Sequence, residues 1–346
     1  MKQNPFSIIF GRIPGQLVSR TAQMEEVVSS FRAEEPSSMV YMITGVRGSG
    51  KTVFMNEVAE TLRPLDDWIC ISLNPETDLL QNMASKLCSE DVLAKIFQRA
   101  RINLSLFGLG LEVRDAAPVA NLETAIEKMT ETLMHHGKKI LITIDEVSST
   151  PEMRKFAGEY QVLIGRGMPV YLLMTGLFEN INRLQNEKTL TFLYRAPKLW
   201  LKPLNVGIMT EKYMKIFGIS EDHALQMARL TNGYPYAFQV LGYFTWKHDG
   251  DDAAAHSEYQ LYLDEYVYDK IWSELSAKDQ KILYGLAVNK SRRVGDVISE
   301  LGMKENEINQ YRTRLIRKGI LNGDTRGILQ FNLPGFDRYV REHFIP

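Results

Sequence analysis

Between residues 38 and 205, short apolar runs rich in β-formers alternate with longer stretches of helical spacing. The strand-like runs are Met39–Thr44, Trp68–Leu73, Lys139–Ile144, Pro169–Met174 and Lys198–Leu201. Their spacing is that of βαβ units, which predicts an α/β fold: a parallel sheet with helices on both faces. Residues 102–113, INLSLFGLGLEV, alternate around Gly108 and Gly110 and predict a hairpin or extra strand between the second and third strands. From 206 to 275 the pattern turns helical, interrupted at Asn232-Gly233-Tyr234-Pro235. Ser276 is a candidate N-cap for a helix carrying Ile282, Leu283 and Leu286. Two more short helical patterns follow, split at Gly302, and then a β-rich tail at Ile328–Leu333. Helix, helix, helix, two-stranded ribbon is the order of a winged helix. The boundaries so read are 1–205, 206–275 and 276–346.

Composition narrows the picture in a few places. A chain of 346 residues with 45% hydrophobic residues has the make-up of a globular protein of two or three domains. Cys70 and Cys88 are too few for a disulfide framework, which points to a reducing compartment. No apolar run approaches the roughly 18 residues of a membrane span, and Met1–Pro5 lacks the apolar stretch of a secretory signal. The expectation is a cytoplasmic protein without a membrane partner. Its 41 Lys+Arg nearly balance 42 Asp+Glu, but unevenly. Residues 276–346 hold 13 basic and 8 acidic residues, a net of +5, and the rest of the chain carries −6. A neutral total therefore does not argue against nucleic acid.

The chemistry begins at Gly45-Val46-Arg47-Gly48-Ser49-Gly50-Lys51-Thr52, which fits G-x-x-x-x-G-K-[ST] between a strand pattern and a helix pattern. Gly45, Gly48 and Gly50 let the backbone curl so that its N–H groups face a phosphate, and the following helix directs its positive end to the same anion. Lys51 would reach the β- and γ-phosphates of ATP, and the Thr52 hydroxyl would take a position on Mg²⁺. Standing 94 residues after that lysine, Asp145-Glu146 ends the apolar run Ile140–Ile144. Asp145 suits a Mg²⁺ ligand, direct or through water, and Glu146 a general base for the attacking water. A strand ending in a polar turn is the bland alternative.

With these two motifs, the chain resembles the AAA+ ATPases, and among them the initiator-like and STAND-like branches with a C-terminal winged helix. The resemblance runs from about residue 5 to 346. It implies an AAA+ nucleotide-binding core over 1–205, a helical lid over 206–275 and a winged helix over 276–346. It implies the sensor 1 role for Thr175, whose plain alternative is a capping threonine before Gly176. Arg195 stands where such proteins often carry an arginine finger for a neighbouring subunit of a homo-oligomer; a surface or intrasubunit role is the alternative. Gly233 and Pro235 match the G-x-P of a STAND-like lid near the nucleotide, a pattern that also punctuates ordinary helix pairs. Arg20, in Leu17-Val18-Ser19-Arg20, matches the segment beside adenine, with Ser19 where glycine is usual; Phe10-Gly11-Arg12 resembles the family leader. No arginine occupies the usual sensor 2 place, which favours a switch-like or slow ATPase.

Within the C-terminal region, the third helix is predicted over Glu305–Lys318, with Ile308, Tyr311 and Leu315 on its buried face and Gly319 as its stop. Its other face presents Asn306, Gln310, Thr313 and Arg317, flanked by Arg312 and Arg314, with Arg326 on the proposed wing. These side chains suit contacts with duplex DNA, mostly phosphates. Glu305 and Glu307 at the helix start weigh against close reading of bases and leave a protein-contact role open. Two functions therefore stand: a DNA-associated ATPase, or a nucleotide-dependent signalling switch whose winged helix meets protein.

Overall fold

The computed structural model describes residues 3–9, 11–109, 111–113, 116–289 and 291–345, apart from the side chains of Glu300 and Glu305. The chain forms two compact units: Thr21–Thr44 with Lys51–Trp200, and Met1–Arg20 with Gly45–Gly50 and Leu201–Pro346.

The first unit runs α1 (Thr21–Arg32), β1 (Val40–Thr44), α2 (Lys51–Leu62), β2 (Trp68–Leu73), α3 (Leu79–Ser89), α4 (Asp91–Arg99) and α5 (Leu122–His135). It continues with β3 (Lys139–Ile144), α6 (Pro151–Gly165), β4 (Val170–Gly176), α7 (Phe178–Gln185), α8 (Thr191–Arg195) and β5 (Lys198–Trp200). The strands form one parallel sheet in the order β2-β3-β4-β1-β5. One face, including Met42, Ile142, Ile144, Leu172 and Met174, belongs to a core with Met83, Met129 and Phe156 from α3, α5 and α6. On the other face Tyr41 meets Phe31 of α1 edge-on and Tyr171 meets it at a tilt, with ring centroids 5.5 and 5.1 Å away. Burial on both faces is why β1, β3 and β4 read as unbroken apolar runs in the sequence.

Residues 102–109 and 111–113 do not supply the expected hairpin or strand, and Gly110 lies outside the described residues. A single 3₁₀ turn, Ser105–Phe107, stands there instead, with one isolated bridge between Asn103 and Pro118. The buried Asn103 amide explains it. It donates to the carbonyls of Val113 and Ala116 and accepts from the Ser105 N–H, so side-chain bonds take the place of a ladder. Ile102, Leu104 and Leu111 anchor this loop in the core, and the alternation recorded those anchors.

The second unit is helical: α9 (Val206–Phe217), α10 (Glu221–Leu230), α11 (Pro235–Lys247), α12 (Asp252–Leu263), a π-helical turn (Asp264–Tyr268) and α13 (Asp269–Ser273). Phe6 plugs its centre beside Tyr213 and Phe238. A Cβ on Gly242 of α11 would lie 2.4 Å from that ring, so the close approach requires glycine. Then come α14 (Ala277–Val288), α15 (Val294–Leu301), α16 (Glu305–Arg317), the antiparallel pair β6 (Leu321–Asn322) and β7 (Gln330–Phe331), and α17 (Phe336–His343). Ser276 caps α14 in a reciprocal box with Asp279. The sequence reading missed α17, whose apolar face is only Phe336, Tyr339 and Val340. Among the described residues, no helix is long and apolar enough to cross a membrane.

Candidate functional site

Parallel register brings the carboxyl ends of β3 and β4 side by side, with Ile144 opposite Met174, and β4 in turn lies against β1, with Thr44 opposite Gly176. Ligands of open parallel sheets bind beyond such strand ends. There the Thr52 hydroxyl, in the first turn of α2, donates to Asp145 Oδ2 at 2.7 Å. The fully buried Thr175, inside β4, donates from its hydroxyl to Asp145 Oδ1. Glu146 then turns into the left-handed region at φ +52°, its N–H directed at Asp145 Oδ1 (3.1 Å) and Thr175 Oγ1 (3.2 Å). That conformation is costly for a non-glycine residue, by about 1–2 kcal/mol, and such strain tends to collect at functional sites. It leaves the Glu146 side chain exposed while Val147 returns to the core. Thr52 and Asp145 present two hard oxygen donors side by side, a set that fits Mg²⁺.

The phosphate-loop candidates Gly45, Val46, Arg47, Gly48, Ser49 and Gly50 leave β1 and enter α2 at Lys51, which is 8% exposed. Gly48 and Gly50 have φ of +71° and +86°, the left-handed curl expected of a cradle. By packing, these six residues belong to the second unit. Arg20 donates to the Ser49 carbonyl (3.0 Å) and the Lys202 carbonyl (2.9 Å), which places this predicted residue on the loop's backbone. Gly233, at φ +70°, sits against the backbone of Leu204, whose N–H donates to its carbonyl at 2.7 Å. Pro235 opens α11, as its fixed φ favours, with its ring 3.9 Å from where a Cβ on Gly50 would stand. The sequence reading missed two residues here. Tyr234, between Gly233 and Pro235, donates its hydroxyl to the Arg47 carbonyl at 2.5 Å. Glu274 accepts from the Arg47 guanidinium at 2.7 Å. Burial pushes the Tyr234 phenol well above its ordinary range, so it remains a donor.

The other predicted residues are dispersed. Arg195 ends α8 on the surface of the first unit, beside the exposed Tyr194. Phe10 lies outside the described residues. On α16, Asn306, Gln310, Thr313 and Arg317 are exposed, as is Arg326 between β6 and β7, whereas Arg312 is half-buried. Arg314 turns inward: it pairs with Asp279 (2.5 Å; Asp279 is 1% exposed), donates to Ser276 Oγ and covers the Tyr311 ring. Glu307 pairs with Lys278 at 2.6 Å. Burial pushes the thiols of Cys70 and Cys88 up to about 11, which keeps them protonated and poor nucleophiles at neutral pH.

Residues 17–192, which include both motifs, match the family described as an ATPase domain predominantly from Archaea. The chain belongs to that ATPase family. Residues 265–340 match a second family, a domain of unknown function. No curated protein matches the chain. Among solved structures, the ATPase is similar to the Walker-type ATPase of Pyrococcus abyssi at 14% identity and a TM-score of 0.64, over 94% of this chain and 96% of that one. Two weaker likenesses are to Cdc6p of Pyrobaculum aerophilum (13% identity, TM-score 0.47, 96% and 95% covered) and to Orc1 of Aeropyrum pernix in complex with DNA (14%, 0.43, 99% and 97%). The fold of the ATPase is the AAA+ P-loop fold, with a helical C-terminal part.

Proposed function

We propose that this ATPase hydrolyses Mg²⁺-ATP slowly, as a switch, with a core over 1–205, a lid over 206–275 and a C-terminal winged helix over 276–346. The carrying observation is the left-handed Glu146, fixed by Asp145 and Thr175 next to the Thr52–Asp145 hydrogen bond. The backbone of Gly45–Gly50 and the ammonium of Lys51 bind the β- and γ-phosphates; Arg20, Gly233 and Pro235 border the nucleotide. Thr52 and Asp145 hold Mg²⁺, which supplies charge neutralisation across the phosphates. The Glu146 carboxylate takes a proton from water as its oxygen attacks the γ-phosphorus, ADP departs, and inorganic phosphate remains. Thr175 orients Glu146 through its backbone. In a homo-oligomer, Arg195 would meet a neighbour's γ-phosphate. Closing the lid over ATP has force only if ATP binds the closed state better. Glu146→Gln is expected to lower kcat by roughly 10²–10⁴ while ATP still binds. Equal turnover in variant and wild type would remove Glu146 from the role of base.

A second reading adds duplex DNA as a partner, favoured by the exposed Gln310, Thr313 and Arg317 on α16 together with Arg326. Arg314 is spent on Asp279, so the informative variant is Arg317/Arg326→Ala. It should weaken DNA binding and flatten its salt dependence. Wild type that fails to bind duplex at low salt leaves a protein-contact switch.

A further inference from the structure

Besides the Arg20 bond to Ser49, the phosphate loop is held at Arg47, a residue at an unspecified position of the motif. Both its backbone and its side chain are engaged by residues remote in sequence. Tyr234, 4% exposed, donates its hydroxyl to the Arg47 carbonyl at 2.5 Å. Glu274 meets the Arg47 guanidinium two-fold, at 2.7 Å to Oε1 and 3.4 Å to Oε2. Next along the loop, a Cβ on Gly48 would lie 2.0 Å from the Tyr234 hydroxyl. On the other side, the Val46 nitrogen is 3.4 Å from the Cβ position of Gly319, at the end of α16. Glu274 and Gly319 both fall within 265–340, the segment that matches a domain of unknown function.

A loop with three glycines in eight residues has much conformational freedom to lose, and it cradles an anion in only one of its shapes. Contacts that fix this shape in advance reduce the entropy lost on binding. We infer that Tyr234 and Glu274 are positioning residues that preset the phosphate loop through Arg47, and that through Glu274 the segment 265–340 tunes nucleotide affinity. This rests on reading Gly45–Thr52 as the ATP phosphate site. The two contacts differ in weight. The Tyr234 bond serves a carbonyl against a buried ring, whereas the Arg47–Glu274 pair is about one-third exposed and screened by solvent.

The test uses the full chain, titrated with a fluorescent ATP analogue and assayed for ATP hydrolysis at saturating Mg²⁺. Tyr234→Phe, which keeps the ring, should raise Kd and KM about fivefold, and Glu274→Gln about twofold, each leaving kcat within about twofold. Arg47→Glu should bind more weakly still, and Arg47→Glu/Glu274→Arg should regain much of the loss. A merely structural role would lower Tm and the active fraction, and with them kcat, without moving KM. Unchanged Kd in Tyr234→Phe and Glu274→Gln overturns the inference, as does tighter binding, which would make these contacts a brake. Wild type that binds no nucleotide ends this inference and the ATPase proposal together. Wild type that binds while Glu146→Gln turns over normally ends only the assignment of the base, because the Kd comparison still decides the positioning role.

Discussion

The candidate residues fall into two halves, one within each unit, that are assembled in opposite ways. Around Asp145, Thr52 and Thr175 converge because three neighbouring parallel strands end together: register sets Thr175 beside the end of β3, and α2 begins just beyond β1 with Thr52 in its first turn. Around Arg47, the partners come from 187 and 227 residues away, on helical segments with no register to fix them. The first half is a product of topology, and the second of particular side chains. Chemistry is expected to fail when the first is damaged, and affinity when the second is.

Asp145→Asn is the most severe way to break the contrast. It keeps the volume but removes the charge facing Thr52, so kcat should fall roughly a hundredfold or more. ATP binding in the presence of chelator should change little; a large loss there would mean that Asp145 also shapes the phosphate loop. Next in size is Gly48→Ala. An alanine at φ +71° costs about 1–2 kcal/mol, and its Cβ collides with Tyr234, so nucleotide Kd should rise about tenfold or more. Calorimetric titration showing wild-type affinity would mean that the loop tolerates being displaced from Tyr234. The smallest effect is one of pH. Partial burial opposes ionisation of Glu274, but Arg47, helped by Lys270, outweighs it and holds the carboxyl below its ordinary 4.5. Stabilisation from a depressed carboxyl is complete above the unfolded-state value and fades as pH falls through the folded one. Below about pH 4.5, wild type should therefore lose stability slightly faster than Glu274→Gln; parallel pH curves would show the pair to be inert.

How legible each part was follows the same division. The strands over 68–73 and 139–144 are legible to the residue: 139–144 is buried on both faces, and the edge strand 68–73 is an apolar run broken only by the exposed Ser72. The run ending at Met174 was read two residues short, since Thr175 and Gly176 look polar or neutral although both are buried in β4. The loop after Ile102 misled because Asn103 does with its amide what a strand partner would do. Tyr234 and Glu274 left no trace, as a tyrosine between two punctuating residues and a glutamate at a helix end are ordinary. Arg314 was visible as a charge, but its buried partner Asp279 was masked by its own role in capping α14.

Phe6 carries a consequence for how the protein is made. It is synthesised long before Tyr213, Phe238 and Gly242, which together form the socket it fills. Asn4 likewise waits for the Tyr243 carbonyl, 239 residues later. At a translation rate of about 5–20 residues per second, that interval lasts roughly ten seconds or more. The sheet unit, whose residues end at Trp200, emerges first and can fold on the ribosome, while the helical unit must close around a segment from the opposite end of the chain. Its assembly is therefore the late and non-local step of folding.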